Sequence, residues 1–234
     1  MRRTFVLVHG AWHGGWCWRR VADRLADAGH RVFTPTLTGL GERSHLLDAK
    51  TDLATHITDV VNVLRWEGLE RVVLCGHSYG GFVISGVVER MEEKIAAMVF
   101  VDALVPETGE SAADSASAAA RERIAEALGK GAATVDPVPA AVFAVNAQDR
   151  AWVDRLCTPQ PLATLTQQAL LSGARERIAR KVYVRATGYP SPAFDAALAK
   201  ASASPSWRAV TLECGHDVMV DRPGELAEIL LAAL

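Results

Sequence analysis

The 234-residue chain is half apolar and 22% charged, and 25 Lys and Arg stand against 27 Asp and Glu for a formal net charge of −2. That is enough for one domain with a full hydrophobic core, and the near-neutral balance implies neither a nucleic acid nor an anionic membrane as partner. The first apolar run, Phe5 to Val8 behind Arg2 and Arg3, is too short for the core of a signal peptide, and no stretch is long enough to span a bilayer, so a cytoplasmic protein is the expectation. Cys17, Cys75, Cys157 and Cys214 are scattered, with no CxxC pair and no metal-ligand spacing. Free, mostly buried thiols are expected, and no metal or other cofactor.

In chain order, Thr4 to His9 reads as a buried strand. It feeds the glycine-rich loop His9-Gly10-Ala11-Trp12-His13-Gly14-Gly15-Trp16 and a helix to about Ala28, which Gly29 closes. Arg31 to Pro35 is a second strand and Thr36 to Lys50 a loop. Asp52 to Trp66 repeats Leu53, Ile57, Val60, Val61 and Leu64 at helical spacing. Next, the apolar run from Arg71 to Cys75 stops at Gly76-His77-Ser78-Tyr79-Gly80, and a helix-compatible run, Phe82 to Arg90, follows. In this strand–turn–helix context G-x-S-x-G marks a sharp elbow that lifts a serine hydroxyl above the sheet. Ile95 to Val101 is a fourth strand, ending at Asp102.

Strands alternating with helices imply a parallel sheet in a three-layer α/β architecture, whose chemistry collects at the carboxyl ends of the strands. His9-Gly10, Ser78 and Asp102 all fall there. The rhythm breaks from 103 to about 180, where an Ala-rich helix, Ser111 to Leu128, is followed by Gly129, Gly131 and four prolines. This segment reads as a helical cap inserted into a single domain spanning 1–234, with Phe143, Trp152, Leu156, Leu162, Leu165 and Leu170 as its apolar surface. The basic cluster Arg175, Arg177, Arg180 and Lys181 reads as a solvated helix end. The sheet resumes at Val182 to Ala186, a helix starts at Pro192, Trp207 to Leu212 is the last strand, and Glu225 to Leu234 is the closing helix.

A serine hydroxyl needs a base within hydrogen-bond reach, and the base needs a group to orient it. His216, in the loop Cys214-Gly215-His216-Asp217 after the last strand, is the base that follows Ser78 in the expected order. The acid is open. The loop after Val182–Ala186, Thr187-Gly188-Tyr189-Pro190-Ser191-Pro192, has no carboxylate. Asp102, beside the nucleophile strand, is favoured, and Asp195 is the alternative. Asp217 adjoins the histidine in sequence, so its side chain should point elsewhere. The backbone N–H groups of Ala11 and Tyr79 would stabilise an oxyanion. Trp12, Tyr79 and Trp152 are candidate substrate-binding walls, and His9, His13 and His77 read as structural.

Phe5-Val6-Leu7-Val8-His9-Gly10-Ala11-Trp12-His13-Gly14-Gly15-Trp16, Val72 to Gly81 and Glu93-Lys94-Ile95-Ala96-Ala97-Met98-Val99-Phe100 together resemble the methylesterase and hydroxynitrile-lyase branch of the α/β-hydrolases, as a bacterial-type esterase. The resemblance is weakest in the cap. It implies an α/β-hydrolase fold with a mainly parallel, six-stranded sheet, and it makes Ser78 nucleophile, His216 base and the Ala11 and Tyr79 amides an oxyanion hole. Plant members place their acid after the penultimate strand, where this chain has none. The lyases carry Thr just after the first loop histidine and Lys just after the catalytic one, whereas this chain has Gly10 and Asp217.

The expected function is therefore a cofactor-free serine carboxylesterase acting through an acyl-enzyme on neutral, fairly apolar small-molecule esters. A carbon–carbon lyase and a non-enzymatic small-molecule receptor on the same fold are the alternatives. Whether the chain pairs into a homodimer is left open.

Overall fold

In a computed structural model, which describes residues 2–234, the strands are β1 (Thr4–Val8), β2 (Arg31–Phe33), β3 (Val72–His77), β4 (Ile95–Val101), β5 (Thr134–Val135), β6 (Gln160–Pro161), β7 (Lys181–Ala186) and β8 (Trp207–Leu212). Six of them form one sheet in the order β2-β1-β3-β4-β7-β8, every neighbouring pair parallel. The fold is that of an α/β-hydrolase, with helices on both faces.

Strand period sets the layers, because successive side chains leave on opposite faces. Val6, Val8, Leu74, Met98 and Phe100 enter one core with the helices Leu53–Trp66 and Gly80–Met91. Phe5, Leu7, Val73, Cys75, Val99 and Val101 enter the other with Arg19–Asp27 and Pro223–Leu231. The interior strands β3 and β7 are buried at every residue, while the edge strands β2 and β8 are half exposed.

The first helix is entered through a 3₁₀ turn, Gly15–Trp18, and the loop after β2 contains another, Gly41–Leu46. Asp52 caps the helix Leu53–Trp66 by accepting from the Thr55 N–H at 2.8 Å, in a capping box. At the elbow, Ser78 takes φ +52°. There a Cβ on Gly76 would lie 2.6 Å from the Gly80 carbonyl oxygen, and one on Gly80 would lie 2.8 Å from the carbonyl oxygens of Val8 and His9.

Between β4 and β7 the chain carries the helices Ala118–Gly129, Arg150–Leu156, Leu162–Thr166 and Ala174–Arg177 and the antiparallel β5–β6 pair. Two expectations are corrected in this stretch. The helix expected from Ser111 begins only at Ala118, because Asp114 accepts from the backbone and hydroxyl of Ser111 (2.8 and 2.7 Å) and Ser117 caps Ala120. Such local side-chain bonds compete with the helix. The basic cluster is not uniformly solvated. Arg175 is buried and donates to the Pro106 carbonyl at 2.6 Å, and Lys181 is buried with its ammonium on the Glu176 carbonyl at 3.2 Å. Arg177 is exposed and pairs with Glu92.

Two glycine substitutions separate backbone crowding from helix propensity. Gly80→Ala should lower the free energy of unfolding by about 1–3 kcal/mol, because the new methyl meets backbone rather than a movable side chain. Gly129→Ala, where nothing lies within 4 Å, should be neutral or stabilising by up to about 1 kcal/mol. Urea denaturation of the two variants measures both.

Candidate active site

The ends of β1, β3, β4, β7 and β8 converge on a cavity of about 650 Å³. Ser78 and His216 both line it, along with Ala11, Trp12, Tyr79, Phe143, Tyr189 and Phe194. The elbow is braced against the strand beside it: the Ser78 N–H donates to the Val101 carbonyl at 3.3 Å, and the Leu104 N–H donates to the Ser78 carbonyl at 3.1 Å. The next residue down, His77, donates its Nε2–H to the His216 carbonyl at 3.0 Å, tying the elbow to the loop after β8.

His216 Nδ1 lies 2.7 Å from Asp102 Oδ2, and both residues are buried. The other oxygen, Oδ1, accepts from Arg185 Nη1 at 2.9 Å and from the Ala186 N–H at 3.0 Å. Asp102 is held in the left-handed region, at φ +41°, with its own N–H on the Val184 carbonyl at 2.6 Å. Asp195 lies elsewhere: its exposed carboxylate accepts from Arg185 Nε at 2.8 Å and makes no hydrogen bond or ion pair with His216. Four aromatic rings surround the His216 imidazole: His77 at 4.5 Å between centroids, Tyr189 at 4.9 Å, Phe194 stacked at 5.1 Å and 11°, and Phe143 at 5.4 Å.

Among the described residues the Ala11 and Tyr79 amides donate to no other protein group, and both residues line the cavity. Trp12, at φ +64°, is held by bonds from its backbone N–H to Gln160 Oε1 (2.9 Å) and from its Nε1–H to the Val135 carbonyl (3.0 Å). The β5–β6 pair thereby fixes one wall. Tyr79 is buried, its hydroxyl 3.0 Å from His56 Nδ1. Trp152, expected as a wall, is not among the residues lining the cavity. It packs edge-on against Trp16 at 5.1 Å and beneath the Arg20 guanidinium at 5.3 Å. Trp152 is half-buried, and its place in the sequence does not say which way the short helix Arg150–Leu156 docks.

The four other buried histidines, His9, His13, His56 and His77, divide by charge. His9 donates Nδ1–H to the Gly10 carbonyl (2.8 Å) and accepts from the Leu37 N–H at Nε2 (3.0 Å), and burial lowers it to about 3. Burial likewise lowers His56 to about 4 and His77 well below its ordinary value. His13 differs. Both its nitrogens meet acceptors, the Ala11 carbonyl at 2.7 Å and Asp217 Oδ2 at 3.0 Å. Burial is the largest single effect and opposes its charge, but Asp217 and the Ala11 carbonyl together outweigh it and raise His13. His13 in turn holds the Asp217 carboxylate below its usual range against its own desolvation. The side chain of Asp217 thus turns away from His216 to form a buried ion pair. No group of three or more His, Cys, Asp or Glu side chains among the described residues is arranged to hold a metal.

The family model described as "Alpha/beta hydrolase family" matches residues 5–229, and the chain belongs to that family. It is 46% identical to a carbendazim hydrolyzing esterase of Nocardioides sp. (strain SG-4G), with 98% of each chain covered. It is 38% identical to methyl jasmonate esterase 1 of Vitis vinifera over 44% of this chain and 40% of that protein. Among solved structures it resembles an extracellular alpha/beta-hydrolase from a Paenibacillus species, 24% identical with a TM-score of 0.86 over 99% of this chain and 98% of that one. An Arabidopsis methylesterase is 23% identical with a TM-score of 0.77, over the same shares of the two chains. These two likenesses bear on the fold.

The buried groups give stability a defined pH dependence. His9, His56 and His77 are lowered, so between about pH 6.5 and 4.5 the unfolded chain binds protons that the folded one refuses, and stability falls on acidification by up to about three protons' worth. His13 works the other way. Its contribution is complete below its ordinary 6.5 and fades as pH rises through the raised value, while that of Asp217 holds above 3.8 and is lost only as pH falls toward its own lowered value. Asp217→Asn should therefore cost about 3 kcal/mol near pH 6, and the deficit should shrink as pH rises through the His13 range. Urea denaturation of both proteins between pH 5 and 9 checks this.

Proposed function

We propose that the chain is a serine carboxylesterase for neutral, fairly apolar esters. The carrying observation is the 2.7 Å contact of His216 Nδ1 with the buried Asp102, on a cavity wall that His216 shares with Ser78. In this mechanism Asp102 holds the imidazole in the tautomer with hydrogen on Nδ1, so that Nε2 is the nitrogen that takes the Ser78 proton. Ser78 Oγ bonds to the ester carbonyl carbon, and the negative charge moves to the carbonyl oxygen, where the Ala11 and Tyr79 amides receive it. Collapse expels the alcohol, protonated by His216. Water then attacks the acyl-Ser78 ester with His216 as base, releasing the acid and the free hydroxyl.

The esterase relatives support this reading of the chemistry. An acyl or alcohol group of some bulk suits a 650 Å³ cavity walled by Trp12, Phe143, Tyr189 and Phe194. A lyase of the related kind is disfavoured at two positions. A Cβ on Gly10 would lie 2.8 Å from His77 Nδ1 and 2.9 Å from the Ser78 Cβ, so a threonine there would displace the proposed nucleophile. Position 217 holds a carboxylate locked to His13 rather than a cation able to receive a leaving anion. Among the described residues no helix is long and apolar enough to cross a membrane. With four unpaired cysteines, a cytoplasmic setting is the reading we favour.

Ser78→Ala should lower kcat for p-nitrophenyl acetate by about 10⁴-fold or more, with the denaturation midpoint unchanged; near wild-type turnover would remove Ser78 from this role. Asp102→Asn should cost about 10³- to 10⁴-fold in kcat. Asp195→Asn, measured alongside at neutral pH, should cost less than about tenfold, because it removes only an exposed partner of Arg185. Equal losses in the two would assign the orienting group elsewhere.

A further inference from the structure

One buried charged side chain on the strand next to the β8 edge, Arg185, has no part in the scheme above. β7 reads Lys181-Val182-Tyr183-Val184-Arg185-Ala186, and every residue of it is buried. An arginine inside such a strand costs several kcal/mol in desolvation unless its charge and its donors are matched. Here they are. Arg185 Nη1 donates to Asp102 Oδ1 at 2.9 Å and also reaches the Ala186 carbonyl, Nη2 donates to the Tyr189 carbonyl at 2.7 Å, and Nε donates to Asp195 Oδ1 at 2.8 Å. The guanidinium carbon also lies 5.8 Å from the centroid of Phe194, the ring stacked on His216.

We propose that Arg185 is a positioning residue: it clamps the Asp102 carboxylate from the penultimate strand and, together with Asp195, sets the net charge that His216 meets. The geometry has two consequences. First, with Oδ1 occupied by Arg185 and the Ala186 N–H, the carboxylate cannot rotate, and Oδ2 is left facing His216. β7 thus holds an acid that β4 supplies. Second, charges alternate outward from the imidazole: Asp102 negative, Arg185 positive, Asp195 negative. The guanidinium cancels part of the field by which Asp102 favours an imidazolium, and Asp195, more than half exposed, returns a smaller part of it. The other polar groups around His216 are Ser78 and the neutral His77 from the elbow, Tyr189 behind β7, and Asp217 of its own loop, neutralised by His13.

The two effects separate in four proteins: wild type, Arg185→Met, Arg185→Lys and Asp195→Asn. The first readout is the pH profile of kcat and kcat/KM for p-nitrophenyl acetate. The second is the NMR titration of the His216 ring, followed through its low-field Nδ1 proton. Arg185→Met removes clamp and charge, so kcat should fall about 10- to 100-fold with KM changed less than about threefold, and the acidic limb should move up by about one pH unit. Arg185→Lys keeps the charge but loses the fork, so the limb should stay within about 0.3 units while kcat still falls. Asp195→Asn leaves the Arg185 charge unshared and should move the limb down, by about half a unit or less given the exposure of Asp195.

A limb and a ring titration that stay put in both Arg185→Met and Asp195→Asn would overturn the proposal, leaving Arg185 a packing residue. Should Arg185→Met fail to fold, the Asp195→Asn shift decides alone, and its absence is fatal. The proposal rests on the hydrolytic reading only for its kinetic arm. A wild-type protein that turns over no ester would remove that reading, and the ring titration would still test the charge line.

Discussion

A single buried carboxylate, Asp102, stands where the segments of the site meet. It sits at the end of β4, touches the loop after β8 through His216, and is gripped by β7 through Arg185 and the Ala186 amide. An ionised carboxylate with no water around it is tolerable only when its oxygens are matched by donors. Here the matching groups come from β7 and from the loop after β8, so the cost of burying the charge becomes a constraint on where those strands end. The left-handed backbone of Asp102 and the 2.6 Å bond from its N–H to Val184 follow from the same demand, because the chain must turn at once to present the side chain back toward β7.

A second buried pair does comparable work at the residue next to His216. His13 comes from the glycine-rich loop after β1 and Asp217 from the loop after β8. Their contact joins the loop carrying the Ala11 amide to the loop carrying the proposed base, two stretches 204 residues apart in sequence. Between the pairs, the His77 bond to the His216 carbonyl adds a third tie, from the elbow. The imidazole is therefore held from behind by a carboxylate, from below by a neutral histidine and around its faces by aromatic rings. His216 also lines the cavity that Ser78 lines.

Much of this could be read along the chain because it is local. A β-branched run ending in Gly76-His77-Ser78-Tyr79-Gly80 has few backbone solutions, and the crowding of Gly80 against Val8 and His9 shows why a side chain is not tolerated there. For the acid the sequence favours Asp102 and leaves Asp195 as the alternative; in the structure both carboxylates bind Arg185, and only Asp102 faces the imidazole. The sequence signal of this arrangement is the lone arginine in the otherwise apolar run Val182 to Ala186. Trp152 lies away from the cavity for a different reason. In a short helix between prolines, burial does not say which neighbour does the burying, and here it is Trp16 and Arg20.

The amino-acid sequence by itself determined the parallel α/β architecture, the strand ends at which polar residues collect, and the elbow at Ser78. These depend on period, β-branching and glycine, which act over a few residues. Only the tertiary structure decided which carboxylate meets His216, that Asp217 is spent on His13, and which aromatic rings wall the cavity. Those pairings join residues as far apart as 13 and 217, and they are selected by the desolvation of buried charge, which exists only once the sheet has assembled and excluded water.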